Sequence, residues 1–220
     1  MWPDTKLGRL LAALDRHYGL LQRPPADGPF AMVLWEIVGY MADDEQRGEA
    51  FEALRQRVGL QPANVLKARL PTLQAITRIG GSIAAEDRAH RLRTAAQMGD
   101  LEDVLRMPFP KAKKRLMEYP MIGEPGAEKI LLFCGALPVL ALDSNGMRVL
   151  LRNGIGEEKK SYAATYRSVR EAVAEELPKD CAMLTQAHLL LRRHGQQLCL
   201  RNDPSCGICP VRTSCSYAGR

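Results

Sequence analysis

The stretch Cys199-Leu-Arg-Asn-Asp-Pro-Ser-Cys206-Gly-Ile-Cys209-Pro-Val-Arg-Thr-Ser-Cys215 gathers four of the chain's six cysteines near its end. The spacing is Cys199-x6-Cys206-x2-Cys209-x5-Cys215, with Pro204, Gly207 and Pro210 supplying tight turns between the sulfurs. Four thiolates this close in sequence can wrap one tetrahedral ion or one cubane cluster. Disulfides are disfavoured in a reducing compartment, so a metal centre is the expectation. Cysteine count alone leaves zinc and iron–sulfur open. Cys134 and Cys181 stand alone in apolar surroundings and read as small core residues.

The rest of the chain supplies the scaffold for this loop. Its 220 residues are ample for a packed core, and 46% apolar with 25% charged residues is ordinary for a globular protein. Collagen-like and disordered classes are thereby excluded. The longest central run without a charge, Ile130 to Leu142, is too short to cross a membrane and contains Pro138. Asp4, Lys6, Arg9, Asp15 and Arg16 interrupt the first segment, so no signal peptide is expected and a soluble, cytoplasmic protein is. Apolar residues recur at helical spacing. Leu7, Leu10, Leu11 and Leu14 mark a first helix, and Phe30 to Met41 reads as a buried one. Further helices are expected over 49–58, 64–68, 73–79, 85–98, 101–106, 111–119, 127–135, 144–153, 161–176 and 184–194. No alternating strand pattern is evident, so the fold class is all-α, with about ten or eleven helices.

Two carboxylates sit in contrasting sequence environments. Asp143 ends the apolar run and opens Asp-Ser-Asn-Gly-Met-Arg-Val-Leu, the position of a helix N-cap, where the dipole and N–H donors favour the ionised form. Glu36 is the sole charge between Phe30 and Met41. Unpaired burial would keep it neutral, and a salt bridge to an arginine elsewhere is the alternative. Between them lies Tyr119-Pro-Met-Ile-Gly-Glu-Pro-Gly-Ala127, a tight turn leading into a helix whose N-terminal amides could hold a phosphate. A basic run precedes it: Arg106, Lys111, Lys113, Lys114 and Arg115, with no acid from Arg106 to Met117. Beside such a turn it reads as a footprint for the DNA backbone.

The four cysteine spacings, with His194-Gly195-x3-Cys199 leading in, resemble the cluster loop of the endonuclease III and adenine DNA glycosylase superfamily. These are helix-hairpin-helix DNA glycosylases with a C-terminal iron–sulfur loop. The hairpin resembles the family form Leu-Pro-Gly-Val-Gly-Arg-X-Thr-Ala, departing from it at Met121, in place of a glycine, and at Glu124. The strings Pro29-Phe30-x4-Trp35-Glu36 and Leu142-Asp143-x-Asn145-x-x-Arg148-Val149-Leu150 look most like the adenine-removing branch. The resemblance implies a [4Fe-4S] cluster on Cys199, Cys206, Cys209 and Cys215. It implies two helical lobes, residues 25–133 with the hairpin and residues 1–24 with 134–220 around the cluster, and DNA in the cleft between them. It implies base-excision repair of double-stranded DNA by a monomer. Asp143 would face the sugar cation, and Glu36 would protonate the leaving purine. Tyr40 or Met41 would fill the gap left by a flipped base. Lys111, Lys113, Lys114, Ile122, Gly123, Gly126, Asn145 and Arg148 would contact DNA, and Arg192, Arg193, Arg201 and Arg212 would lie near phosphates. Bifunctional members attack with a lysine at the position of Pro125. Lys129, one turn on, is expected to be a surface lysine, so a monofunctional enzyme is expected. A bifunctional lyase acting on oxidised pyrimidines and a non-catalytic binder of DNA structure are the alternatives.

Overall fold

The structure, a computed structural model, describes residues 1–218; positions 219 and 220, the end of the expected 134–220 segment, lie outside them. Among the described residues there is no strand. The α-helices in chain order are α1 Lys6–Tyr18, α2 Pro29–Val38, α3 Asp44–Arg57, α4 Pro62–Lys67, α5 Leu70–Ile79 and α6 Ala85–Gln97. After them come α7 Phe109–Met117, α8 Glu124–Phe133, α9 Ser144–Arg152, α10 Tyr162–Val173 and α11 Cys181–Gln197. The stretch expected as a helix over 101–106 is a 3₁₀ turn at Glu102–Arg106, and two more such turns carry the cysteine loop. The chain divides into two compact units: Pro24–Ala136, and Met1–Arg23 with Leu137–Arg220.

In the unit Pro24–Ala136, α2 is buried on nearly all sides and α6 packs against α2, α4 and α5. The helix expected to reach Met41 stops at Val38. Two arginines take the carbonyls that end it. Buried Arg88 donates through Nη1 to Val38 O (2.6 Å) and Gly80 O (2.9 Å), and through Nη2 to Thr77 O (2.9 Å) and Gly81 O. Arg47 donates to Gly39 O through Nε (3.1 Å) and Nη2 (2.9 Å). Helix-end carbonyls need such donors when water cannot reach them. Burial, then the nearby Arg47 charge, lowers the Arg88 guanidinium from its usual value. Replacing it would leave four backbone acceptors to find new donors.

In the unit formed by Met1–Arg23 and Leu137–Arg220, α11 packs against α9 and α1. Thr5 caps α1 by accepting from Gly8 N (3.0 Å), and Leu7, Leu10, Leu11 and Leu14 form its buried face. Gly195 marks the close approach of α11 to α9. A Cβ there would lie 2.8 Å from Asn145 O, so only glycine lets the helices meet. Cys134 and Cys181, expected in the core, are half-buried.

Candidate functional site

In the unit that carries the cysteine loop, the sequence places Asp143 at the start of α9, and the local chemistry makes it a cap. Its Oδ1 accepts from Gly146 N at 2.8 Å. Its Oδ2 accepts from Asn145 Nδ2 at 3.4 Å and pairs with the Arg192 guanidinium. The carboxylate is 16% exposed. A helix N-terminus and an arginine guanidinium thus both present positive charge to it. Arg192, expected near phosphate, is instead the partner of this acid. Tyr162, half exposed, has its hydroxyl pushed up by burial and then by the Asp143 charge.

Asn145 and Arg148 carry that end of α9 to the cysteine loop. Arg148 Nη2 donates to Asn145 Oδ1 (2.8 Å) and Gly195 O (2.7 Å), and its Nε donates to Cys199 O (2.9 Å). Both side chains were expected on DNA, yet Arg148 is engaged with backbone carbonyls. Arg152 donates to Cys199 Sγ (3.4 Å), Leu200 O (2.6 Å) and Arg201 O (3.0 Å), with its guanidinium 4.3 Å from the Tyr217 ring centroid. Beside these groups lies a hollow of 680 Å³ lined by Arg148, Arg152, Arg201, Tyr162 and Tyr217.

The four cysteines of the loop share one locale. Burial raises the Cys209 thiol, and repulsion from Cys215, Cys199 and Cys206 raises it further. Cys209 Sγ lies 3.6 Å from His194 Nε2, and His194 Nδ1 lies 3.1 Å from the Tyr18 hydroxyl. Burial, then His17, lowers His194 to about 4, so the ring is neutral at pH 7 and offers one N–H. Burial raises Tyr18 to about 12. Among the described residues no group of three or more His, Cys, Asp or Glu is gathered tightly enough to hold a single metal ion.

In the other unit, α7, a turn and α8 form the hairpin. Met121, where the family form has glycine, adopts φ +67 and so takes the left-handed conformation that glycine would take without cost. Ile122 is 4% exposed and its N–H donates to Tyr119 O (3.2 Å), so it offers nothing to a phosphate. Gly123 is the N-cap, exposed to solvent, and the amides of Glu124 and Gly126 lead α8. Lys113 Nζ pairs with Glu124 (2.7 Å) and Glu128 (3.5 Å) and lies 5.1 Å from the Phe109 ring centroid. The negative charge of Glu124 is therefore answered within the protein. Lys111 and Lys114 remain exposed. The turn after α2 presents Tyr40 (46% exposed) and Met41 (68%), the latter at φ +60.

Of the two readings its sequence surroundings allow, an isolated acid or an ion pair with an arginine from elsewhere, Glu36 takes the paired one, with a lysine as well as an arginine. Lys129 Nζ on α8 lies 2.7 Å from Glu36 Oε1, and Arg47 Nη1 on α3 lies 3.9 Å from the same atom. Lys129 is correspondingly no surface lysine: its side chain is 14% exposed, and that of Glu36 is 16%. A nearly apolar helix gives no hint of its partner, because the partner arrives from another helix. The one available signal was Lys129 itself, the first amine after the hairpin.

The fold is that of the helix-hairpin-helix DNA glycosylases. A solved complex of endonuclease III with DNA, bound non-covalently, superposes with a TM-score of 0.77, covering 100% of this chain and 98% of that one at 18% identity. The chain is 32% identical over 109 residues to endonuclease III of Rickettsia prowazekii, which spans 50% of this chain and 48% of the relative. The chain spans about half the length of the endonuclease III relatives it matches. A protein of Methanocaldococcus jannaschii named as a DNA repair glycosylase aligns over 90% of both chains at 22% identity. No family model matches the chain.

Proposed function

We propose that this protein is a monofunctional DNA glycosylase of base-excision repair that flips a base from duplex DNA and hydrolyses its N-glycosidic bond. The observation that carries the reading is Asp143, capping α9 and paired with Arg192 in this fold. A fixed negative charge is the group needed opposite the oxocarbenium-like sugar as the base departs. The Glu36–Lys129 pair acts on the base, and a purine, adenine or a deaminated relative, is the favoured substrate. Exposed Tyr40 or Met41 fills the vacated space in the duplex. Lys111, Lys114 and the amides of Gly123 and Gly126 hold phosphates. The protein acts as a monomer in the cytoplasm or on the nucleoid. No described helix is long and apolar enough to cross a membrane.

The loop residues fit a [4Fe-4S] cluster held by Cys199, Cys206, Cys209 and Cys215. Their thiols feel one another's charge, and an Arg152 donor and a His194 ring nitrogen lie beside two of the sulfurs. Thiolates bearing the negative charge of a cluster are stabilised by such donors. The cluster's contribution is structural: it would pin the loop against α9. Arg148 and Arg152 already hold the loop's carbonyls there.

The absence of a covalent step follows from two residues. Pro125 has no amine, and Lys129 Nζ is engaged in an ion pair with Glu36 at 2.7 Å, which supports this reading. Borohydride added during turnover should therefore trap almost no protein–DNA adduct, and strand cleavage should require added alkali. Efficient trapping that vanishes in Lys129→Ala would overturn the monofunctional assignment.

A further inference from the structure

We propose that Tyr18 and His194 form a hydrogen-bond relay that ends on the Cys209 sulfur and holds the iron–sulfur cluster against loss, both acting as positioning residues for that thiolate. This rests on the cluster reading above and adds two residues from outside the loop to it. His194 Nε2 lies 3.6 Å from Cys209 Sγ, and the Tyr18 hydroxyl lies 3.1 Å from His194 Nδ1. His194 is 1% exposed, so water does not compete for its ring nitrogens. Chemistry fixes the direction of both bonds. A cysteine sulfur bound to iron has no hydrogen to give, so Nε2 is the donor. Burial favours the neutral ring, which then has Nδ1 as its acceptor, and the Tyr18 hydroxyl donates to it.

Both residues are held in place before any metal arrives. His194 lies in the last turn of α11, and its carbonyl accepts from Leu198 N (3.0 Å) and Cys199 N (2.8 Å). One residue therefore serves the start of the loop through its backbone and Cys209 through its ring. Tyr18 is the last residue of α1, and Gly19, at φ +68, ends the helix directly after it. Gln186 of α11 pins that end. It donates to Gly19 O (3.1 Å) and Asp15 Oδ1 (3.3 Å) and accepts from Leu21 N (3.3 Å). The relay thus ties the first helix to the cysteine loop. A cluster with four thiolates carries net negative charge, and hydrogen bonds to its sulfurs stabilise that charge. A hydroxyl donating to Nδ1 polarises the ring and makes Nε2–H the stronger donor. Partners of this kind, one step outside the ligands, are typically worth about 10–100-fold in metal affinity.

The test is the rate at which protein loaded with iron in the absence of oxygen gives up its cluster to excess chelator, followed by visible absorbance. Wild type is compared with Tyr18→Phe, His194→Leu and the double variant. His194→Leu should lose the cluster about 10–100-fold faster. Tyr18→Phe keeps the ring and its packing and should lose it about 2–10-fold faster, the worth of one neutral hydrogen bond. In the His194→Leu background Tyr18→Phe should add nothing, because the relay is already cut. The Fe–S stretching bands of Tyr18→Phe should shift from those of wild type, which a hydroxyl that merely packs α1 would not cause. Release from Tyr18→Phe at the wild-type rate, with unshifted bands, would overturn the proposal, and this variant decides it even where His194→Leu fails to fold. So would equal acceleration by Tyr18→Phe with and without His194. Wild-type protein that takes up zinc, or no metal, when offered iron would instead overturn the cluster reading on which the proposal stands.

Discussion

Asp143→Asn should slow base release by about 10²–10³-fold, the usual worth of one preorganised charge or donor at a developing charge. The substitution leaves the cap in place, because an amide oxygen can still accept from Gly146 N where Oδ1 now does. It removes the negative charge that Arg192 holds in position. A sugar that becomes cationic as the base departs feels that loss in the transition state, whereas the neutral ground-state sugar barely does. The rate constant therefore falls while substrate affinity does not. DNA binding should be unchanged or tighter, since the surface proposed to meet phosphates loses one negative charge. Arg192→Leu is the companion variant. It frees the carboxylate without removing it, so the fall in rate should be smaller, and Arg192→Leu should add little on top of Asp143→Asn if both act through one interaction. A rate for Asp143→Asn within threefold of wild type, in folded protein, would remove Asp143 from the chemistry.

Cys209→Ser has the second large effect, on the cofactor and the tail. Protein prepared without oxygen should carry about four iron atoms per chain and be yellow-brown, and the serine variant should carry close to none. The free energy of binding at such a loop is also its folding free energy. Loss of the cluster should therefore open residues 199–217 to proteolysis. Arg148 and Arg152, which donate to the carbonyls of Cys199, Leu200 and Arg201, would then release them. The helices of the other unit, Pro24–Ala136, should keep their hydrogen-exchange protection. Wild-type protein that is colourless and holds one zinc per chain would contradict the iron–sulfur assignment.

What could be read in the sequence was what is local. The N-cap geometry of Asp143 needs only its own residue and the three after it, and the observed bond to Gly146 is of that kind. The all-helical class followed from apolar spacing within single segments such as Leu7 to Leu14. The end of α2 was misplaced because Arg47 and Arg88, from other helices, capture Val38 and Gly39 before the apolar run is over. The partner of Glu36 was missed for the same reason: Lys129 is distant in sequence and meets it only once α2 and α8 pack. Arg192 looked like one of several basic residues near the loop until α11 brought it to Asp143. Met121 departs from the glycine of the family form, and the turn takes the left-handed region with that residue in place. Local strain of about 1 kcal/mol is tolerated when the helices on either side are well packed.

The most direct test of the account is the appearance of free base. Under single-turnover conditions, duplexes each containing one mispaired or deaminated purine are incubated with the protein, and the released base is separated and identified, with Asp143→Asn run in parallel. The account predicts release of an intact purine from at least one duplex by wild type, little or none by Asp143→Asn, and strand breaks only after alkali. Tight DNA binding by wild type with no base released from any duplex would contradict it, and would make the chain a DNA binder that keeps the glycosylase fold.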